Sequence, residues 1–438
     1  MTGSMIESSF QREALLRVGA LRTIRYARSA IFAILLVCTC VKAWTQETAF
    51  ALHDGDRVVF FGDSITAQRL YTTYLQTAVK VHFPEWNIRF YNAGVGGDNV
   101  HGGIAGKVDV RIDRDILKFH PTVVTIMLGM NDRSHEREYE SGYEHILQRL
   151  RAASPDLRIT ILGPTPMDGT TNSNPWANVE LRRFLEIDRQ LASKYGATFI
   201  DLQTPVLAAL ERAEKLNHLA AMSLIPDRIH PQPPLHMLMA ETVLAGWNYP
   251  KVSSSISIDA RTGRIARQDS AVIRNVIKKE NAIAWTALET ADEIRFITTD
   301  GNEMIYQSLI STQHIGAKVL QVTSLAQGRY SLLIDGKPLQ QTWTEKELEQ
   351  GIRLDRLDTP AHRSGVAVYY ACSDSELNQT EHSRQVGTLS GQHAEVIASV
   401  EALLEAATEG SEKQINAASK RVEHSFSLLS ATNGKHTE

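Results

Sequence analysis

Between Asp54 and about Trp247 two hydrophobic periods alternate along the chain. Arg57–Phe61, Ile88–Tyr91, Thr122–Leu128, Arg158–Leu162 and Thr198–Ile200 are short β-branched or apolar runs and read as strands. Gln68–His82, Lys107–Phe119, Tyr143–Ala153, Trp176–Tyr195 and Pro205–Leu216 carry apolar residues at helical spacing. Strand and helix in alternation predict a parallel sheet with helices on both faces. Thr122–Leu128, apolar almost throughout, suits a strand buried on both sides. In such a fold the ligand site lies beyond the carboxyl ends of the strands.

After Asn248-Tyr249-Pro250 the pattern changes. Ser255–Asp259, Glu293–Thr299 and Arg329–Ile334 read as strands, with Asp300-Gly301 and Asp335-Gly336 as turn pairs, so residues 251–374 are expected to form a small β-rich unit. It holds no cluster of catalytic residue types. From Glu376 the chain is polar. Two amphipathic stretches, Ala394–Ala407 and Ile415–Leu429, the second opened by Ser411 as a cap, predict a surface helical hairpin or mobile tail over 376–438.

Composition narrows the class. The 438 residues are 43% apolar and 22% charged, which excludes a disordered or fibrous chain and leaves length for roughly three folded units. The formal charge of −4 has no basic excess, so nucleic acid is not an expected partner. Arg12, Arg17, Arg22, Arg25 and Arg28 precede an uncharged run, Ala30–Val41, and Val41-Lys42-Ala43 offers small residues at a cleavage point. Residues 1–43 therefore read as a secretory signal, the run being shorter than the ~20 residues of a membrane span. The expected location is periplasmic or extracellular, the alternative an anchor through residues 30–41. Residues 1–43 hold six basic and two acidic groups, so their loss takes the formal charge from −4 to −8. Cys38 and Cys40 go with them, and Cys372 alone then makes an internal disulfide impossible.

Four short segments carry candidate chemistry. Gly62-Asp63-Ser64-Ile65-Thr66 follows the first strand; a serine opening a helix has an exposed hydroxyl and a free N–H, although capping by Asp63 or Ser64 is the simpler reading. Asn92-Ala93-Gly94-Val95-Gly96-Gly97-Asp98 follows the second, where Gly97 could aim its N–H at a developing oxyanion. A phosphate loop is the rival there, but Asn99 stands where G-x-G-x-x-G needs glycine. Gly129-Met130-Asn131-Asp132 follows the third and offers a side-chain amide as donor. Finally, Asp227-Arg228-Ile229-His230 places a carboxylate three residues before an imidazole, able to orient it toward a serine hydroxyl.

In this order and on these elements, the four segments resemble the consensus blocks of the SGNH hydrolases, the GDSL esterase/lipase family. The Ser, Gly, Asn and His of that name match Ser64, Gly97, Asn131 and His230 over about residues 54–247. The resemblance implies a flavodoxin-like three-layer α/β/α sandwich, an SGNH domain over 48–248, no cofactor and no metal. Two departures stand out: Asn99 where many relatives have Thr, and Arg133-Ser134 without a nearby glycine.

The resemblance further implies serine ester hydrolysis through an acyl-enzyme. Ser64 attacks, His230 moves the proton, Asp227 orients the imidazole, and the N–H groups of Ser64 and Gly97 with the Asn131 amide bind the oxyanion. Asp63, Asp98 and Asp132 are the expected supporting residues. Activity should fall as pH drops through the ordinary imidazole range near ~6.5. A β-rich module after the His block is similar to exported members associated with acylated carbohydrate, so a small-molecule or polysaccharide ester, acetyl above all, is the expected substrate. A lysophospholipid or simple alkyl ester comes next. Two readings compete from outside the class: a phosphoesterase whose divalent ion is held by Asp63, Asp98, Asp132, Asp227 and His230, and a non-catalytic secreted sugar-binding protein.

Overall fold

The computed structural model describes residues 49–168, 175–279, 282–291, 316–388 and 394–431. The expected signal at 1–43, the strand Glu293–Thr299 and the Asp300-Gly301 turn lie outside the described residues.

Five parallel strands form the first sheet: β1 (Arg57–Gly62), β2 (Arg89–Gly94), β3 (Val123–Met127), β4 (Arg158–Leu162) and β5 (Thr198–Ile200). Their spatial order is β2-β1-β3-β4-β5 and every pairing is parallel, the doubly wound order of the flavodoxin-like sandwich. Long helices α1 (Leu70–His82), α2 (Glu136–Ala153) and α3 (Pro175–Tyr195) connect its strands, and α4 (Gln203–Leu216) and α5 (Pro233–Gly246) follow the last of them. All five residues of β3 are buried, as expected of a strand covered on both faces. The core runs from Leu52 to Tyr249. Strand order reverses between β1 and β3, and there Ser64 and Asn131 leave adjacent strands at the same edge.

The second region is a sandwich of two mostly antiparallel sheets. Its strands are β6 (Val252–Asp259), β7 (Ile265–Asp269), β8 (Val272–Lys279), β9 (Ala282–Glu289), β10 (Ala317–Thr323), β11 (Arg329–Ile334), β12 (Lys337–Thr344), β13 (Ile352–Arg353) and β14 (Val422–Ser430). The larger sheet runs β8-β9-β14-β11-β12 and the smaller β13-β10-β6-β7. Ile256, Ile258, Leu320 and Val322 of one face Trp285, Leu332, Phe426 and Leu428 of the other in a common core. At the β11–β12 hairpin, Asp335 and Gly336 both take positive φ, +51° and +75°, as a two-residue primed turn requires.

The C-terminal expectation needs correction at four points. Residues 360–374, read with the β-rich unit, open a long helix, α7 (Pro360–Thr388), after the short α6 (Glu345–Gln350). Ser411 caps nothing; it lies buried inside α8 (Ala394–Ala418). Ile415–Leu429 is not one helix. It ends α8 and then becomes β14, which fills the middle of the larger sheet between β9 and β11. Nor is the helical pair a loose hairpin on the surface. The ion pair between Lys80 of α1 and Glu412 of α8 is buried at 2.7 Å, and Thr72 and Asn92 reach Glu376 of α7. Tertiary burial on α1 decides these elements, which local pattern cannot see.

Candidate active site

Ser64 opens a single helical turn, Ser64–Ala67, immediately after β1. The capping role belongs to Asp63, whose Oδ1 accepts from the Ile65 N–H at 2.9 Å, and this leaves the serine hydroxyl to face outward. Gly62 is required by close approach: a Cβ there would sit 2.2 Å from Thr66 Oγ1 and 2.7 Å from the Met127 carbonyl. That approach brings the end of β1 against the end of β3.

His230 Nε2 lies 2.8 Å from Ser64 Oγ, and His230 Nδ1 lies 2.5 Å from Asp227 Oδ2. The second carboxylate oxygen of Asp227 accepts from the N–H groups of Ile229 and His230, at 3.0 and 2.8 Å. Partial burial pushes the Asp227 carboxyl up, but these backbone bonds and the imidazole outweigh it and hold it below the ordinary carboxylate range. Asp227 is therefore an anion fixed on three donors, ready to orient the ring and to stabilise its charged form.

The other two segments converge beside this chain. Gly62 and Gly94 are register partners, and the Val95 N–H reaches the Gly62 carbonyl at 3.0 Å. The loop then closes through Asp98 N–H to the Val95 carbonyl, with Gly97 at φ +76°, a conformation that favours glycine. Asn131 donates one amide hydrogen to the Asp98 carbonyl at 2.8 Å, which fixes its side chain against that loop and leaves the other hydrogen to donate. A hydroxyl, an imidazole, a carboxylate and an aimed amide in this arrangement can carry nucleophilic acyl transfer.

The three supporting carboxyls are buried beneath the site and each has its own task. Asp63 caps the serine turn, and burial raises it to about 7, the Ile65 bond pulling down and Asp132 pushing up. Asp132 accepts from the Val100 N–H at 3.0 Å and is raised by burial to about 6. Asp98 receives Arg111 Nε at 3.0 Å, while Arg111 Nη2 donates to the Ala93 carbonyl at 2.7 Å. The carboxyls thus face separate donors instead of one point. Among the described residues no three of the His, Cys, Asp and Glu side chains are arranged to hold a metal ion.

Arg133-Ser134, the departure noted in the sequence, is accommodated without a glycine. Ser134 itself adopts φ +73°, its N–H bonded to Glu180, and Arg133 Nε donates to the Met130 carbonyl at 2.8 Å with its guanidinium against the Met167 thioether. Segment 101–105 belongs to a short hairpin that pairs Gly102–Gly103 with Gly106–Lys107, and 169–174 lies outside the described residues.

Sequence reasoning passed over Arg111, Asn92 and the pair Gln68–His236. His236 Nε2 meets Gln68 Oε1 at 3.0 Å and its ring stacks on Tyr71, tying the helix after the His segment to the serine turn. Burial lowers His236 to about 3, so it stays neutral. A polar residue inside Leu235-His236-Met237-Leu238-Met239 was the available signal, because buried polar groups need internal partners.

Residues 60–238 match the GDSL-like Lipase/Acylhydrolase family, and this domain belongs to it, as an SGNH hydrolase. An acetylxylan esterase of Geobacillus stearothermophilus is 25% identical over 217 residues, covering 44% of this chain and 94% of that protein. The protein is a serine ester hydrolase. A solved structure of a gut microbial diltiazem-metabolizing enzyme superposes with a TM-score of 0.75 at 21% identity, covering 87% of this chain and 99% of the other, so the fold recurs well beyond the hydrolase domain. The Geobacillus stearothermophilus acetylxylan esterase structure covers 46% of this chain and 97% of its own at 22% identity and a TM-score of 0.39.

Proposed function

We propose that the protein is an exported esterase that removes short acyl groups, acetyl first, from carbohydrate, with Ser64 as nucleophile. The observation that carries the mechanism is the relay Asp227–His230–Ser64 at 2.5 and 2.8 Å. His230 takes the Ser64 proton as Oγ attacks the ester carbonyl, and Asp227 holds the imidazole and offsets its charge. The oxyanion is met by the Asn131 amide with the N–H groups of Ser64 and Gly97. His230 then gives the proton to the leaving alcohol, and water, activated by the same imidazole, releases the acid and restores the serine.

The carbohydrate assignment draws support from the acetylxylan esterase relative and from the β-sandwich joined to the hydrolase domain. Export draws support from the arginine-flanked apolar run Ala30–Val41. The substrate test is acid release from acetylated xylo-oligosaccharide, a lysophosphatidylcholine and a butyl ester at equal concentration. The account expects kcat/KM highest for the acetylated sugar. A higher value for the lysophospholipid or the alkyl ester would move the substrate class and leave the serine chemistry standing.

A further inference from the structure

Glu376 belongs to α7, far along the chain from the hydrolase residues it meets. Its Oε2 accepts from Thr72 Oγ1 at 2.5 Å and from Asn92 Nδ2 at 3.1 Å, and all three side chains are buried. Asn92 is the hub. The same Nδ2 donates to the Thr66 carbonyl at 2.9 Å and lies 3.0 Å from Thr72 Oγ1, while Oδ1 accepts from the Gly94 N–H at 2.9 Å. Thr66 sits two residues after Ser64, and Gly94 opens the loop that ends at Gly97. One amide therefore touches both the nucleophile turn and the oxyanion loop, and α7 supplies its remote acceptor.

We propose that Glu376 is a positioning residue of the hydrolase site, holding Asn92 so that the Ser64 turn and the Gly94–Gly97 loop keep their mutual register. The inference rests on the reading of Ser64 and Gly97 given above. Removing the acceptor frees the Thr72 hydroxyl and one Asn92 N–H in a buried place, where they must find new partners. The cheapest response is rotation of the Asn92 amide, which releases Thr66 and Gly94 together. Displacements of about 1 Å at a reacting group cost rate far more than affinity. By this reading α7 is part of the catalytic scaffold, and the hydrolase domain alone lacks a piece of its own support.

The protonation state agrees with that role. Burial raises Glu376 to about 8, against the pull of Thr72, Asn92 and Arg69. At neutral pH it is an uncharged acid, nearly isosteric with glutamine. The other groups facing it are Tyr71 from α1 and Tyr369 and Cys372 from its own helix, all held in their neutral forms by burial.

The test compares Glu376→Gln, Glu376→Leu and Ser64→Ala with the unaltered full chain on p-nitrophenyl acetate, with circular dichroism as the check on folding. Glu376→Leu is expected to lower kcat by about tenfold or more with KM within about twofold. Glu376→Gln should keep most of kcat and lose the fall in activity that ionisation of Glu376 causes above pH ~8. If Glu376→Leu does not fold, Thr72→Val removes one donor instead and should lower kcat by about threefold. A folded leucine variant with full kcat, glutamine and leucine variants equally impaired, or a fully active Thr72→Val would each overturn the proposal. An inactive Ser64→Ala beside an active Glu376→Leu sinks this inference alone, whereas an active Ser64→Ala sinks the reading beneath it.

Discussion

Lys80 and Glu412 meet as an ion pair of 2.7 Å, 332 positions apart, with almost nothing of either side chain in water. Lys80 belongs to α1 of the hydrolase domain and Glu412 to α8, the last helix among the described residues. Breaking such a pair on one side leaves an uncompensated charge, at a typical cost of about 3–5 kcal/mol, whereas replacing both partners by apolar residues is often neutral. Lys80→Met is therefore expected to lower stability by about 3 kcal/mol, and Lys80→Met with Glu412→Leu to restore most of it. Guanidinium unfolding followed by tryptophan fluorescence measures both. Equal midpoints for Lys80→Met and the unaltered protein would show that the helical pair contributes little to the fold.

Glu241 provides a pH test of stability. It lies in α5, one of its oxygens is buried without a partner, and burial raises it to about 8. An acid raised above its unfolded value binds more protons folded than unfolded between the two pKa values. Its contribution therefore weakens as pH rises from about 4.5 to about 8, by an amount on the order of 2–4 kcal/mol, and is level above that. Glu241→Gln should flatten that part of the stability curve. A decline of equal slope in both proteins would assign it elsewhere.

Much of the hydrolase domain was legible because its signals are local. Each strand of the parallel sheet is a short apolar run, and Ser64, Gly97, Asn131 and His230 sit in segments whose order along the chain is itself informative. The C-terminal third was harder for physical reasons. Ile415, Ala418, Val422, Phe426 and Leu429 satisfy a helical period, while His424, Phe426 and Leu428 satisfy the alternation of a strand. The strand wins because Phe426 pairs with Trp285 across the larger sheet, rings stacked at 5.2 Å, and that neighbour lies far back in the sequence. Similarly, Val366-Ala367-Val368-Tyr369-Tyr370 has strand composition and is helix, stabilised by packing on α1. Glu376 escaped notice because its partners Thr72 and Asn92 lie far back in the sequence, and the hub role of Asn92 because only its bond to Gly94 is local.

Asn131 is expected to act on rate and hardly on binding. Its amide is fixed by the Asp98 carbonyl at 2.8 Å with one hydrogen left to donate, and in the proposed mechanism that hydrogen meets a charge that develops only in the transition state. Asn131→Ala should lower kcat by about 10²–10³ with KM changed less than about threefold. Steady-state kinetics on p-nitrophenyl acetate decides it. A rise in KM at constant kcat would make Asn131 a substrate-binding residue instead.

The central claim is that Ser64 is the nucleophile, and the most direct measurement is p-nitrophenol release from p-nitrophenyl acetate by the protein and by Ser64→Ala, each with and without a chelator. The account predicts that the serine variant, still folded, loses at least about 10³-fold in rate and that the chelator changes neither protein. Equal rates in both proteins, or a rate that the chelator abolishes, would contradict it and reduce the 2.8 Å contact between His230 and Ser64 to a structural hydrogen bond.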